Sequence, residues 1–270
     1  MPIPRSQRTV FKNNPLAEVI CQLRFPTILA IAAEAPAAFQ DRIRGAYPLY
    51  EQEPAGLQLQ LQGLPPEVAS LVAQVPFPQP ATDPVHKFLS EDRKRFISLK
   101  SDFVAFTETS YSRWETFKEG ILLAERALTE TRAPAFYTRI GLRYRNVISR
   151  KKFALEGQPW HELLQPHLTG LLGLRDLAQE VTDIRAVASV RVDQVPGARV
   201  ELRHGLMPDP DDSQQAYLID VDFHTEERST GQDAFRILDD FHSAAGDIFR
   251  WAIAPPLRLA LQPEDSPPNR

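Results

Sequence analysis

The chain is poor in cysteine, in glycine and in long apolar runs. Cys21 is the one cysteine among 270 residues. That excludes an intrachain disulfide, a thiolate zinc cluster and a Cys-x-x-Cys redox pair, and it fits a reducing compartment. With 12 glycines, the sequence has no Walker loop, no Gly-x-Gly-x-x-Gly turn and no Gly-x-Ser-x-Gly elbow. "HELLQ" at 161–165 opens like a zincin helix but lacks the second histidine. The most apolar stretch, "TILAIAAEAPAAF", is short and broken by Glu34 and Pro36, and "MPIPRSQRTVFKNNPL" has no apolar core of a signal peptide. These absences predict a cytoplasmic protein without a membrane span and without a cofactor. There is no excess of positive charge either: the net charge is -4. Bulk attraction to nucleic acid is excluded, and binding of a polyanion would need a local patch.

What is present is proline, 24 residues of it, and a strong alternation of apolar and polar positions. "AEVICQLRF" places Val19, Cys21, Leu23 and Phe25 against Glu18, Gln22 and Arg24, which makes Cys21 a small core residue. A helix is expected at 34–50, with Phe39, Ile43, Ala46 and Tyr50 on one stripe. Strands are expected at 57–62, 86–91, 95–101 and 102–109, the last two joined by a tight turn. In "SYSRWETFKEGILLAERALTE", Ser112 and Glu115 suggest a capping box for a helix whose stripe runs Trp114, Phe117, Ile121, Ala124 and Leu128. A second series follows: a strand at 137–149, a helix at 158–174, strands near 183–193, 198–206 and 216–225, and a helix from 231 to 253 opened by Thr230 and Asp233.

The two series spell nearly the same order. The fold class expected is therefore α+β, a duplicated β-α-β(3-4)-α unit whose antiparallel sheets are each covered by a long helix, similar to TATA-binding-protein and helix-grip arrangements. The halves would be residues 1–133 and 134–256, with 257–270 a disordered tail. The proline-rich stretch 63–84 reads as a solvated connection or as a docking arm with Val68, Leu71, Val72 and Val75 on one side. "LQLQLQ" has no lysine or proline to deter edge pairing, from which a homodimer is expected.

The segments "NPLAEVICQLRFP", "FLSEDRKRFISL", "YSRWETF", "RIGLRYRN" and "YLIDVDFH", with His242 and Phe249 in the last helix, together resemble a sporadically distributed family of uncharacterised bacterial proteins of about this length. The resemblance covers almost the whole chain. It implies no activity, cofactor or catalytic residue. The family's patchy occurrence implies an accessory gene of the kind found in defence systems and mobile elements.

The feature that points to function is an arginine-lined strand face. Arg139, Arg143 and Arg145 point one way while Ile140, Leu142, Tyr144 and Ile148 point the other. Arg185 and Arg191, and Arg199 and Arg203, repeat the pattern, and Asp220, Asp222 and His224 form the acidic counterpart. Two readings compete. The face is a solvated ladder of cross-strand ion pairs, each contributing about 0.2–1 kcal/mol, or it is a groove whose guanidinium forks await a carboxylate or phosphate. The binding residues expected are Arg139, Arg143, Arg145, Arg191, Arg203, Asp220, Asp222 and His224.

A metal held by Asp220, Asp222 and His224 would need help from a neighbouring strand, since alternate residues sit about 7 Å apart. No metal site is expected, and His204 and His242 read as core histidines. The sequence thus favours a non-catalytic binding or adaptor protein with a protein partner. Nucleic-acid or nucleotide binding by the same face is the alternative, and a metal-dependent enzyme the second alternative.

Overall fold

The computed structural model describes residues 4–53, 83–174 and 176–264. Its elements in chain order are β1 (Val10–Phe11), β2 (Leu16–Arg24), α1 (Leu29–Ala33), α2 (Ala37–Ile43), β3 (Leu49–Glu53), β4 (Val85–Leu89), β5 (Arg95–Lys100), β6 (Phe103–Glu108) and α3 (Trp114–Arg132). There follow β7 (Arg139–Ile148), α4 (Trp160–Leu163), α5 (Pro166–Thr169), a 3-10 turn (Gly170–Gly173), β8 (Arg185–Arg191), β9 (Arg199–Pro208), β10 (Gln215–Thr225), α6 (Gly231–Ala252), α7 (Pro255–Ala260) and β11 (Pro263–Glu264). The fold is mixed α+β, and no described helix is long and apolar enough to cross a membrane.

Where separate sheets were expected, nine strands form one antiparallel sheet in the order β3-β4-β5-β6-β2-β7-β10-β9-β8. The join is β2 against β7, with Cys21 opposite Leu142 and Leu23 opposite Ile140. Pairing these two strands removes an unpaired edge from each and aligns their apolar sides into a single core face. On that face lie Val19, Cys21, Leu23, Leu142, Val221 and Phe223, all at 2% exposure or less. Burial pushes the Cys21 thiol far above its ordinary pKa, as befits a core residue. Helices α3 and α6 cover this face, and the opposite face of the central strands carries the polar residues.

Several local expectations are corrected. The helix expected at 34–50 is confined to α2, Ala37–Ile43, between Pro36 at its N-cap and Arg44 at its C-cap, and Pro48 bars any continuation to 50. Tyr50 instead lies in β3, with its hydroxyl 2.9 Å from His86 Nδ1. The helix at 158–174 is broken at Gln165 before Pro166 and again at Gly170, where φ is +47°. Ser112 does not cap α3: the N-cap is Arg113, and Glu115 is taken by Arg8 at 2.7 and 3.0 Å. Thr230 caps α6 as expected, its hydroxyl accepting from the Asp233 amide.

Part of the supposed tail is ordered. Leu257 and Leu261 are fully buried in a second apolar cluster, and β11 pairs with β1. The expected strand at 57–62, nearly all of the stretch 63–84 and the last six residues lie outside the described residues.

Candidate functional site

Alternation along β7 puts Arg139, Gly141, Arg143, Arg145 and Val147 on the face away from α3 and α6. Directly opposed residues of antiparallel strands share a face, so the register sorts the charges into rows across the sheet. One row runs Val187, Arg203, Asp220, Arg145, Glu18. The next runs Ser189, Glu201, Asp222, Arg143, Ile20. The third runs Arg191, Arg199, His224, Gly141, Gln22.

The first two rows hold the carboxylates, of which Asp220 and Glu201 are paired within them. Arg143 reaches diagonally to Asp220, with Nε to Oδ1 at 2.8 Å and Nη2 to Oδ2 at 2.6 Å. Asp220 is 1% exposed, so this is a bidentate pair on a buried carboxylate and not a solvated rung. The Asp220 hydrogen bonds raise the Arg143 pKa and keep the guanidinium charged. Arg203 binds Glu201 at 2.7 Å and stands 3.9 Å from Asp220. Burial raises the Asp222 pKa against the pull of Arg139 and Arg143.

The third row contains no carboxylate. Arg191 and Arg199 face each other directly across β8 and β9, and His224 follows on β10. Gly141 completes the row without a side chain: a Cβ there would lie 2.6 Å from Arg139 Nη1, so the glycine makes room for that guanidinium. Arg139 donates to Gln22 at 3.2 Å and is 4.0 Å from Asp222. His224 Nδ1 is buried with no hydrogen-bond partner among the described residues. Arg145 and Arg199 have no hydrogen bond or ion pair among the described residues.

The expected site residues therefore divide. Arg143, Arg203, Asp220 and Asp222 form an internal network, while Arg139, Arg191 and His224 meet in the cationic row and Arg145 stands beside the network without a partner among the described residues. Arg199 belongs to that row and was not among the expected binding residues; only the pairing of β8, β9 and β10 brings it there. No group of three or more potential ligands for a metal ion occurs among the described residues. Asp220 could not serve one without releasing Arg143.

A cavity of about 560 Å³, unforeseen in the sequence, lies on the other side of the sheet. Its walls come from β7, from the start of α3, from α6 and from the N-terminal segment Ser6–Phe11, which straps across it. The strap is tied down by Ser6 to Asp247 at 2.9 Å, by Arg8 to Glu115, and by β1 pairing with β11. At its floor His242 stacks on Trp114, centroids 4.6 Å apart, and its Nδ1 lies 2.9 Å from the Tyr144 hydroxyl. Burial lowers the His242 pKa to about 4, with Arg8 adding to the effect, so the imidazole is neutral at physiological pH. Burial likewise raises the phenols of Tyr144 and Tyr111, whose rings meet edge-on with centroids 5.9 Å apart. Tyr144 and His242 are thus an uncharged pair. Expecting His242 to be a hydrogen-bonded core histidine captured its bond and missed the space beside it.

No protein family matches the chain, and no curated protein does. Among solved structures it is similar to the substrate-free duplicated taurocyamine kinase from Schistosoma mansoni, at 7% identity and a TM-score of 0.35. The match covers 89% of this chain and 32% of the kinase. A likeness that low carries no argument about fold or activity.

Proposed function

We propose that the chain is a binding or adaptor protein without catalysis of its own, an accessory bacterial factor that docks a protein partner on the open sheet face. The observation that carries this reading is the row of Arg191, Arg199, His224 and the Arg139 guanidinium, which has no carboxylate in it. Like charges placed directly across a strand pair cost stability, so an anionic partner would relieve a cost that the free protein bears. Arginine forks suit carboxylates. The neighbouring row carries Glu201 and Asp222, a mixture of signs that suits a mixed protein surface and would repel a continuous phosphate backbone.

A duplicated, TATA-binding-protein-like architecture belongs to the same proposal. In each half the first strand, β2 or β7, takes the middle of the sheet. Short helices lead out to the edge, a meander returns to the first strand, and a long helix follows, which is the order a duplicated unit requires. A homodimer is also part of it. β8 ends the sheet and is exposed at Arg185, Val187, Ala188, Ser189 and Arg191, and it offers an edge to a second copy. A monomer mass by light scattering would remove that element.

The test is affinity capture from extracts of the native host, with Arg191→Glu/Arg199→Glu as the control bait. The expected result is a protein recovered by the wild type and lost with the variant. Recovery of nucleic acid whose binding falls log-linearly with salt would favour the alternative. Equal recovery by both baits would contradict any role for the row.

A further inference from the structure

The cavity beneath the strap offers a second binding chemistry, independent of the open face. Its volume lies within the range of small-molecule sites, and such sites pair an apolar wall with a few convergent polar groups. The apolar wall here is largely aromatic: Phe11 packs edge-on to Phe249 at 5.9 Å, and Trp114 is held in place by its Nε1 bond to Asp239 at 2.8 Å. The polar groups are Tyr144, His242 and Asn146. Tyr144 occupies His242 Nδ1, and nothing among the described residues hydrogen-bonds Nε2.

The charge at the lining is of one sign. Arg8, Arg113 and Arg250 line the cavity and no carboxylate does. Glu115 and Asp247 hold Arg8 and Arg250 from outside the lining, while Arg113 is exposed and pairs with nothing among the described residues. Gly246 on α6 keeps the space open between His242 and Arg250. An added Cβ would meet only the tip of the Arg250 guanidinium, at 2.9 Å.

We propose that this cavity binds a small aromatic carboxylate, the ring against Phe11, Trp114 and Phe249, the carboxylate towards the arginines, with the one proton that the Tyr144–His242 hydrogen bond leaves free donated to it. Apolar surface and ring contacts supply the affinity, and the arginines select an anion over a cation of the same shape.

Calorimetric titration with phenylbutyrate and with phenylbutylamine, which share a ring and chain and differ in charge, tests this directly. The expected result is saturable one-to-one binding of the acid, tighter than the amine by about tenfold or more. Gly246→Leu should weaken that binding by about tenfold or more while leaving the melting temperature unchanged or higher, since leucine suits a helix better than glycine. Tyr144→Phe, which removes a single oxygen, should weaken it several-fold in a protein that stays folded. No saturable binding of the acid, equal binding of the amine, or binding untouched by Gly246→Leu would each overturn the proposal.

Discussion

Arg143 and Tyr144 are neighbours in sequence and face opposite sides of the same sheet, and the two sides handle buried polarity in opposite ways. On the open face Arg143 keeps its charge and pairs it with Asp220, a carboxylate at 1% exposure. On the covered face Tyr144 meets His242, whose proton affinity has been lowered until no charge is left to solvate. The difference lies in access to water. The Arg143 side chain is 25% exposed, so a charged pair there retains part of its hydration. His242 stands between Trp114 and Tyr144 beneath the strap, where a charge would be desolvated and the nearby carboxylates, Glu115 and Asp239, are already taken by Arg8 and by Trp114 with Lys118.

The largest test of this contrast removes the anion. Asp220→Ala leaves Arg143 without its bidentate partner and should cost about 3 kcal/mol by urea unfolding, whereas leucine at both Arg143 and Asp220 should recover most of that loss. A cost under about 1 kcal/mol for Asp220→Ala would return the pair to the class of solvated rungs.

Acid should act mainly on the other face. The folded pKa of His242 lies near 4, below the ordinary 6.5, so the unfolded chain takes up a proton before the folded one does. Its contribution to stability is complete above about pH 6.5 and is lost as pH falls from there towards 4, by at most about 3 kcal/mol. Asp222 and Glu108, whose pKa values are raised, work in the opposite sense. The informative quantity is therefore the difference between the wild type and His242→Gln, whose stability profile should be flatter across that window. An imidazole titrating near 6.5 by NMR would break the comparison. A smaller effect is expected from Tyr144→Phe, about 1 kcal/mol, because a neutral hydrogen bond is lost with no charge left behind.

How much of this was legible in the sequence follows the same division. β2, β6, β7, β9 and β10 and the two long helices announce themselves through sustained periodicity, and so does the apolar or polar identity of each side. Periodicity alone extends α2 across Pro36 and Pro48 and merges the short helices on either side of Pro166 and Gly170, where the backbone in fact breaks. Which arginine meets which carboxylate was not legible at all. Arg143 lies 77 residues from Asp220 and pairs with it diagonally, a choice fixed by strand order and register. The cationic row depends on Arg191, Arg199 and His224 from three strands coming level, and on the missing side chain of Gly141. The cavity was hidden for a different reason. Its strap, residues 6–11, has almost no periodicity, and its hold on the body comes from Asp247, Glu115 and Pro263–Glu264, all distant in the chain.

On the proposed reading, the open face divides into a structural network around Asp220 and a recognition row beside it. The most direct measurement is the affinity of the captured partner for a variant with alanine at Arg145, Arg191 and Arg199, alongside its melting temperature. These three side chains lie outside the Asp220 hydrogen bonds, so the melting temperature should not change. Binding should weaken by about 2 kcal/mol or more, roughly thirtyfold. Unchanged affinity in the triple variant would contradict the claim and leave these arginines as solvation.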